Sequence, residues 1–98
     1  MIFDEVDVGI GGGVAEVVGC LLKRLGNTRQ VLVITHLPQV AAQGTHHLQV
    51  SKSVVDGQTL SHIAKLNAVQ RIEEIARMLG GVEITETTRK HAAEMLRL

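Results

Sequence analysis

Asp4, Glu5 and Asp7 place three carboxylates within four positions, and Gly9, Gly11, Gly12 and Gly13 follow at once. Two adjacent acids at the end of a strand divide labour well. One can hold a hard cation, and the other can take a proton or orient a water molecule. A second polar pair, Thr35-His36, closes the apolar run Val31-Leu32-Val33-Ile34. A histidine after a strand is most simply a partly exposed, hydrogen-bonded side chain. Its imidazole can also donate to an oxygen that gains negative charge during a reaction. Position in the fold has to decide between these readings.

The elements needed to bring the two groups together are legible. Ile2 and Phe3 read as the end of a buried strand. Val14, Val17, Val18, Leu21, Leu22 and Leu25 recur at helical spacing, and Gly26-Asn27 closes the run. Gln30 to Thr35 reads as a second strand, buried on both faces as in parallel sheets. Strand, helix and strand form a βαβ unit whose strands lie parallel. Both strands then deliver polar residues to one edge, Asp4 and Glu5 from the first, Thr35 and His36 from the second. Open α/β sheets place their ligands at that edge.

The rest of the chain offers less chemistry. Pro38 predicts a short helix through Ala42, ended by Gly44. His46 to Lys52 and Thr59 to Leu66 alternate as strands around the Asp56-Gly57 turn signal, so a hairpin is expected. His46 and His47 are adjacent and would point to opposite faces, which argues against a metal pair. Asn67 can cap a helix carrying Val69, Ile72, Ile75, Ala76 and Leu79, closed by Gly80-Gly81, with Glu73 and Arg77 spaced to pair on its surface. Thr85 predicts a last capped helix with a thin stripe of Thr88, Ala92, Met95 and Leu96. His62 and His91 have no evident role. The fold class is α/β: a βαβ unit, a β-hairpin and two C-terminal helices within one unit spanning residues 1–98.

Several simpler functions are excluded. The glycine cluster fits neither G-x-x-x-x-G-K-[ST], absent throughout, nor G-x-G-x-x-G, which fails at Val14. The acids are not spaced as in an EF-hand. Ten Lys and Arg balance ten Asp and Glu, so no basic stripe invites nucleic acid. No apolar run reaches membrane-spanning length and no secretory pattern is evident, so no membrane association is expected. The single cysteine, Cys20, fits a reducing compartment. Phe3 is the one aromatic residue, leaving a core of Val, Ile, Leu, Ala and Met.

Apolar residues followed by Asp4-Glu5 resemble the Walker B motif of the ATP-binding-cassette ATPases. With Val6-Asp7-Val8-Gly9-Ile10-Gly11-Gly12 they resemble the head domain of the bacterial RecN family of DNA repair proteins, relatives of the structural-maintenance-of-chromosomes (SMC) ATPases. The likeness continues through Ile34-Thr35-His36-Leu37-Pro38-Gln39-Val40-Ala41-Ala42 and Ala76-Arg77-Met78-Leu79-Gly80-Gly81-Val82-Glu83-Ile84-Thr85-Glu86-Thr87-Thr88, so it covers nearly the whole chain.

The resemblance implies a partial P-loop NTPase head, its C-terminal part from the Walker B strand onward, without Walker A, signature motif or coiled coil. It implies that Asp4 holds Mg²⁺, that Glu5 polarises the attacking water, and that His36 is the switch histidine on the terminal phosphate of ATP. Asp7, Gly9, Gly11 and Gly12 would form the loop after Walker B (the D-loop) that crosses to a second head. Gly11 departs from the Asp of many relatives. ATP and Mg²⁺ are then cofactors of the intact parent ATPase, with none bound tightly by this segment, which is inactive alone. The implied partners are the rest of the head, a second head in an ATP-dependent dimer, and DNA reached through the parent rather than directly. The implied location is the bacterial cytoplasm, at the nucleoid.

Two other readings stay open: a piece of another cassette-type ATPase, which the His36-Leu37-Pro38-Gln39 context disfavours, and a non-catalytic interaction module. A preceding G-x-x-x-x-G-K-[ST] in the reading frame would separate the ATPases from the module. In the family the Walker A strand lies between the strands read here as Val31–Ile34 and His46–Lys52. Two unpaired edges are therefore expected to face a gap, and the segment is expected to self-associate.

Overall fold

A computed structural model describes residues 1–4, 9–80 and 83–97. The elements run β1 (Ile2–Asp4), α1 (Gly12–Gly26), β2 (Leu32–Ile34), α2 (Pro38–Ala41), β3 (Leu48–Val55), β4 (Gln58–Lys65), α3 (Ala68–Gly80) and α4 (Glu86–Leu96). This is the expected α/β order. The strands differ from expectation at their ends: β2 stops before Thr35, and β3 starts at Leu48 and continues to Val55.

The strands form two separate two-stranded sheets. β1 and β2 are parallel, with Ile2 beside Leu32, Phe3 beside Val33 and Asp4 beside Ile34. The Leu32 amide donates to the Met1 carbonyl at 2.8 Å, and the Met1 ammonium donates to the Gln30 carbonyl at 2.8 Å. β3 and β4 are antiparallel from Leu48–Lys65 to Val55–Gln58. Asp56 and Gly57 both have positive φ, 50° and 75°, which matches the right-handed twist of the flanking strands. No pairing joins β2 to β3, so the expected gap between those strands is present.

The buried core lies among the helices. Ala42, Ile75, Ala76 and Ala92 are buried, with Ile72, Leu79, Ile84, Met95 and Leu96 packed against them. The predicted faces of α3 and α4 thus meet each other and α2, except at Val69 in the first turn of α3, which is 70% exposed. Both caps form as read. Asn67 Oδ1 accepts from the Gln70 amide at 2.8 Å while Gln70 Oε1 accepts from the Asn67 amide at 2.9 Å, a reciprocal capping box. Thr85 Oγ1 accepts from the Thr88 amide at 3.2 Å. The expected end of α3 at Gly80-Gly81 is only half visible, since Gly81 lies outside the described residues.

Further expectations change. The strands read as buried are open to solvent, with Ile2 72%, Leu32 47% and Ile34 51% exposed, because among the described residues the two-stranded sheet has no further strands or helices to cover both faces. Glu73 does not pair with Arg77. Arg77 pairs with Glu74 one turn back, and Glu73 instead accepts from Arg89 Nε of α4 at 2.7 Å, tying the two helices together. On α1 the Val/Leu stripe is half uncovered: Val14, Val17 and Leu21 are 55%, 59% and 55% exposed. The buried positions are Ala15 and Gly19, on the side facing α2. The two-stranded sheet is too narrow to cover a stripe that wide, whereas the small residues let α2 approach closely.

Candidate functional site

β1 ends at Asp4, which is exposed. Because Asp4 stands beside Ile34 in parallel register, Thr35 and His36 continue from β2 at the same edge as the carboxylate. Neighbouring strands lie about 4.8 Å apart, so the two polar exits are close neighbours. Glu5 and Asp7 lie outside the described residues. Gly9 sits in a turn, and its φ of +78° would strain any residue with a Cβ. Gly11 is the N-cap of α1, extended at φ −86° and ψ 173°, and its carbonyl accepts from the Ala15 amide at 2.9 Å. Gly11 has no side chain with which to cap α1, and among the described residues the first amides of Gly12 and Gly13 keep donor capacity at the positive end of the helix dipole.

His36 is exposed and precedes a tight corner. The Leu37 amide donates to Thr35 Oγ1 at 3.0 Å, fixing the turn from β2 into α2. Pro38 then opens α2 and is buried together with Val40. Gln39 was not anticipated. A Cβ placed on Gly12 would sit 3.3 Å from Gln39 Nε2, and one placed on Gly19 would sit 2.9 Å from the Gln39 carbonyl oxygen. α2 is therefore seated on α1 at two points. The sequence carried a signal for this contact: Ala15 and Gly19 are small residues spaced i, i+4, along one flank of the bulky stripe.

Asp4, Thr35 and His36 thus leave their strands at one edge, while Gly9, Gly11 and Gly12 lie where the chain enters α1. Mg²⁺ is commonly held by one or two carboxylates, with waters and phosphate oxygens filling its other positions. One exposed carboxylate at a strand end fits such an ion. Among the described residues no group of three His, Cys, Asp or Glu side chains could form an all-protein metal cage. No described helix is long and apolar enough to cross a membrane.

A second polar cluster supports the corner from behind. Arg71 Nη2 donates to the Gly44 carbonyl at 2.8 Å, holding the loop after α2 against α3. His47 is half-buried next to Arg71, and burial, reinforced by that guanidinium, pushes its imidazole below the ordinary 6.5. Glu74 is held below the ordinary carboxylate range chiefly by its hydrogen bond with Arg77, against the cost of burial. It also accepts from Gln49 Nε2 at 2.8 Å. His46 is exposed, so the two adjacent histidines do not converge.

No protein-family model matches the chain. The DNA repair protein RecN of Xylella fastidiosa (strain 9a5c) is 54% identical over 96 residues, and that of Vibrio cholerae is 55% identical over 96. The Bacillus subtilis RecN is 43% identical over 97 residues. These matches cover 98–99% of this chain. By sequence, this is a RecN-like chain. It spans about 17% of the length of those relatives. A solved structure described as "Structural biochemistry of ATP-driven dimerization and DNA stimulated activation of SMC ATPases" superposes with a TM-score of 0.65. It is 19% identical, and the match covers 85% of the RecN-like chain and 49% of that structure. The RecN-like chain therefore shares the fold of part of an SMC ATPase.

Proposed function

We propose that this segment supplies the metal- and water-handling edge of an SMC-type ATPase head in a bacterial protein that repairs DNA double-strand breaks by recombination. The observation that carries the reading is the parallel register of Asp4 beside Ile34, which sends the carboxylate and His36 out at one edge. The likeness to RecN over nearly the whole chain supports it.

In this reading Asp4 holds Mg²⁺ through its carboxylate, and Glu5 orients and polarises the attacking water. His36 donates to the terminal phosphate as negative charge develops there. Asp7, Gly9, Gly11 and Gly12 form the loop that reaches the second head. Mg²⁺, when bound, neutralises charge on the phosphates. The segment carries no G-x-x-x-x-G-K-[ST] loop, so the phosphate cradle comes from the rest of the head and the segment alone does not turn over ATP. DNA is engaged by the longer protein, since this segment has no net charge to offer phosphates. The work takes place in the bacterial cytoplasm.

The test is steady-state kinetics on the longer ATPase that contains these residues. Glu5→Gln is expected to bind ATP normally and to lose at least about a hundredfold in turnover, the loss typical of removing a general base. Asp4→Asn should weaken Mg²⁺ binding, and His36→Ala should lower kcat more than it raises KM. Turnover near wild type in Glu5→Gln overturns the assignment.

A further inference from the structure

We infer that Gln39 is a positioning residue that couples the glycine turn at the start of α1 to the segment carrying His36. The inference rests on the function proposed above. Three observations meet at this side chain. Gln39 lies three residues after His36 on α2, and the stretch between them is stiffened by the Leu37 amide donating to Thr35 Oγ1 at 3.0 Å and by the buried ring of Pro38. Its carboxamide lies against Gly12, where an added Cβ would come within 3.3 Å of Nε2. Its backbone carbonyl lies so close to Gly19 that a Cβ there would approach to 2.9 Å. A shift of Gly12 relative to α2 is thus transmitted through one side chain to a short, braced corner.

The fourth observation says the contact is poised rather than finished. Gln39 Oε1 is buried and has no hydrogen-bond partner among the described residues. A buried acceptor without a donor is costly, and native structures seldom keep one without a use. Gln39 also borders a cavity of about 430 Å³, together with Gly12, Gly13, Glu16 and His91, so the carboxamide has room to rotate. Gly12, opposite it, carries no side chain that would block an amide of the turn from approaching that oxygen. When the turn is pressed by a second head, an amide of the Gly11–Gly13 stretch satisfies Gln39 Oε1, and the corner bearing His36 is locked.

Two measurements test this. In the longer ATPase, Gln39→Ala is expected to lower kcat about tenfold while KM stays within about twofold. Gly12→Ala combined with Gln39→Ala should be no slower than the slower single variant, as for residues acting as one unit. Additive losses, or an unchanged kcat, overturn the coupling. Glu5→Gln run in parallel keeps the two proposals apart. If Glu5→Gln is inactive and Gln39→Ala is wild type, only the coupling fails; if Glu5→Gln is fully active, the ATPase reading itself fails. In the 98-residue chain, Gln39→Ala should speed amide exchange about tenfold at Ala15, whose amide donates to the Gly11 carbonyl, while β3 and β4 keep their protection. Faster exchange throughout the chain would make Gln39 an ordinary packing residue and overturn the inference.

Discussion

His47 and Glu74 show how single groups respond to their surroundings. Burial and the Arg71 guanidinium disfavour the charged form of His47, so the folded chain binds its proton less readily than the unfolded chain does. Stability linked to His47 is therefore complete above the ordinary 6.5 and is lost as pH falls below it. Glu74 has the same sign in a lower window. Its hydrogen bond with Arg77 depresses it, so its contribution is present above the ordinary 4.5 and is lost as pH falls through the depressed value. The expected result is a melting temperature that drops in two stages on acidification. His47→Gln should remove the upper stage and leave the lower one, which thermal melts at stepped pH would show directly. An unchanged upper stage in that variant would place the responsible proton elsewhere.

The helices depend on a few local devices. Gly19 is where α1 and α2 touch, and a Cβ there would meet the Gln39 carbonyl oxygen at 2.9 Å and Gln43 Cγ at 2.9 Å. Alanine improves helix propensity by up to about 1 kcal/mol, but backbone cannot yield as a side chain does, and overpacking costs about 1–3 kcal/mol. Gly19→Ala is therefore expected to destabilise, and urea unfolding with a lower midpoint at unchanged slope is the check. A gain in stability would show that α2 is free to retreat. At α3, Asn67→Ala removes one half of the capping box, and a loss of about 1 kcal/mol is expected by the same measurement. The Glu73–Arg89 contact joins α3 to α4 across the surface, and as an exposed pair it adds little to that total.

Over the whole chain the two sheets remain separate, and large apolar side chains stay exposed around them: Ile2, Leu32 and Ile34 on one sheet, Val50, Val54 and Ile63 on the other. Exposed strand edges with apolar faces pair readily with other chains. Light scattering of the 98-residue chain at micromolar concentration is expected to show self-association. A clean monomer with residues 31–34 protected in hydrogen exchange would mean that the gap closes within one chain. Calorimetric titration should detect no tight Mg·ATP binding by the same chain, because the phosphate-cradling loop is absent from its sequence. Sub-micromolar affinity would contradict that expectation.

Sequence alone determined the order of elements, the two helix caps, the hairpin turn and the edge at which Asp4 and His36 leave their strands. Each follows from local rules: periodicity, a capping side chain reaching three residues ahead, positive φ at Asp56-Gly57, and the parallel run of a βαβ unit. Only the tertiary structure decided which partners those elements take. Periodicity marks a stripe as apolar but cannot say what covers it, so Val14, Val17 and Leu21 remained exposed while Ala15 and Gly19 met α2. Spacing allowed Glu73 and Arg77 to pair, yet α4 brought Arg89 to Glu73. Gln39 gained its place in the same way, because contact between α1 and α2 depends on small side chains permitting close approach, which becomes visible only once both helices are in position.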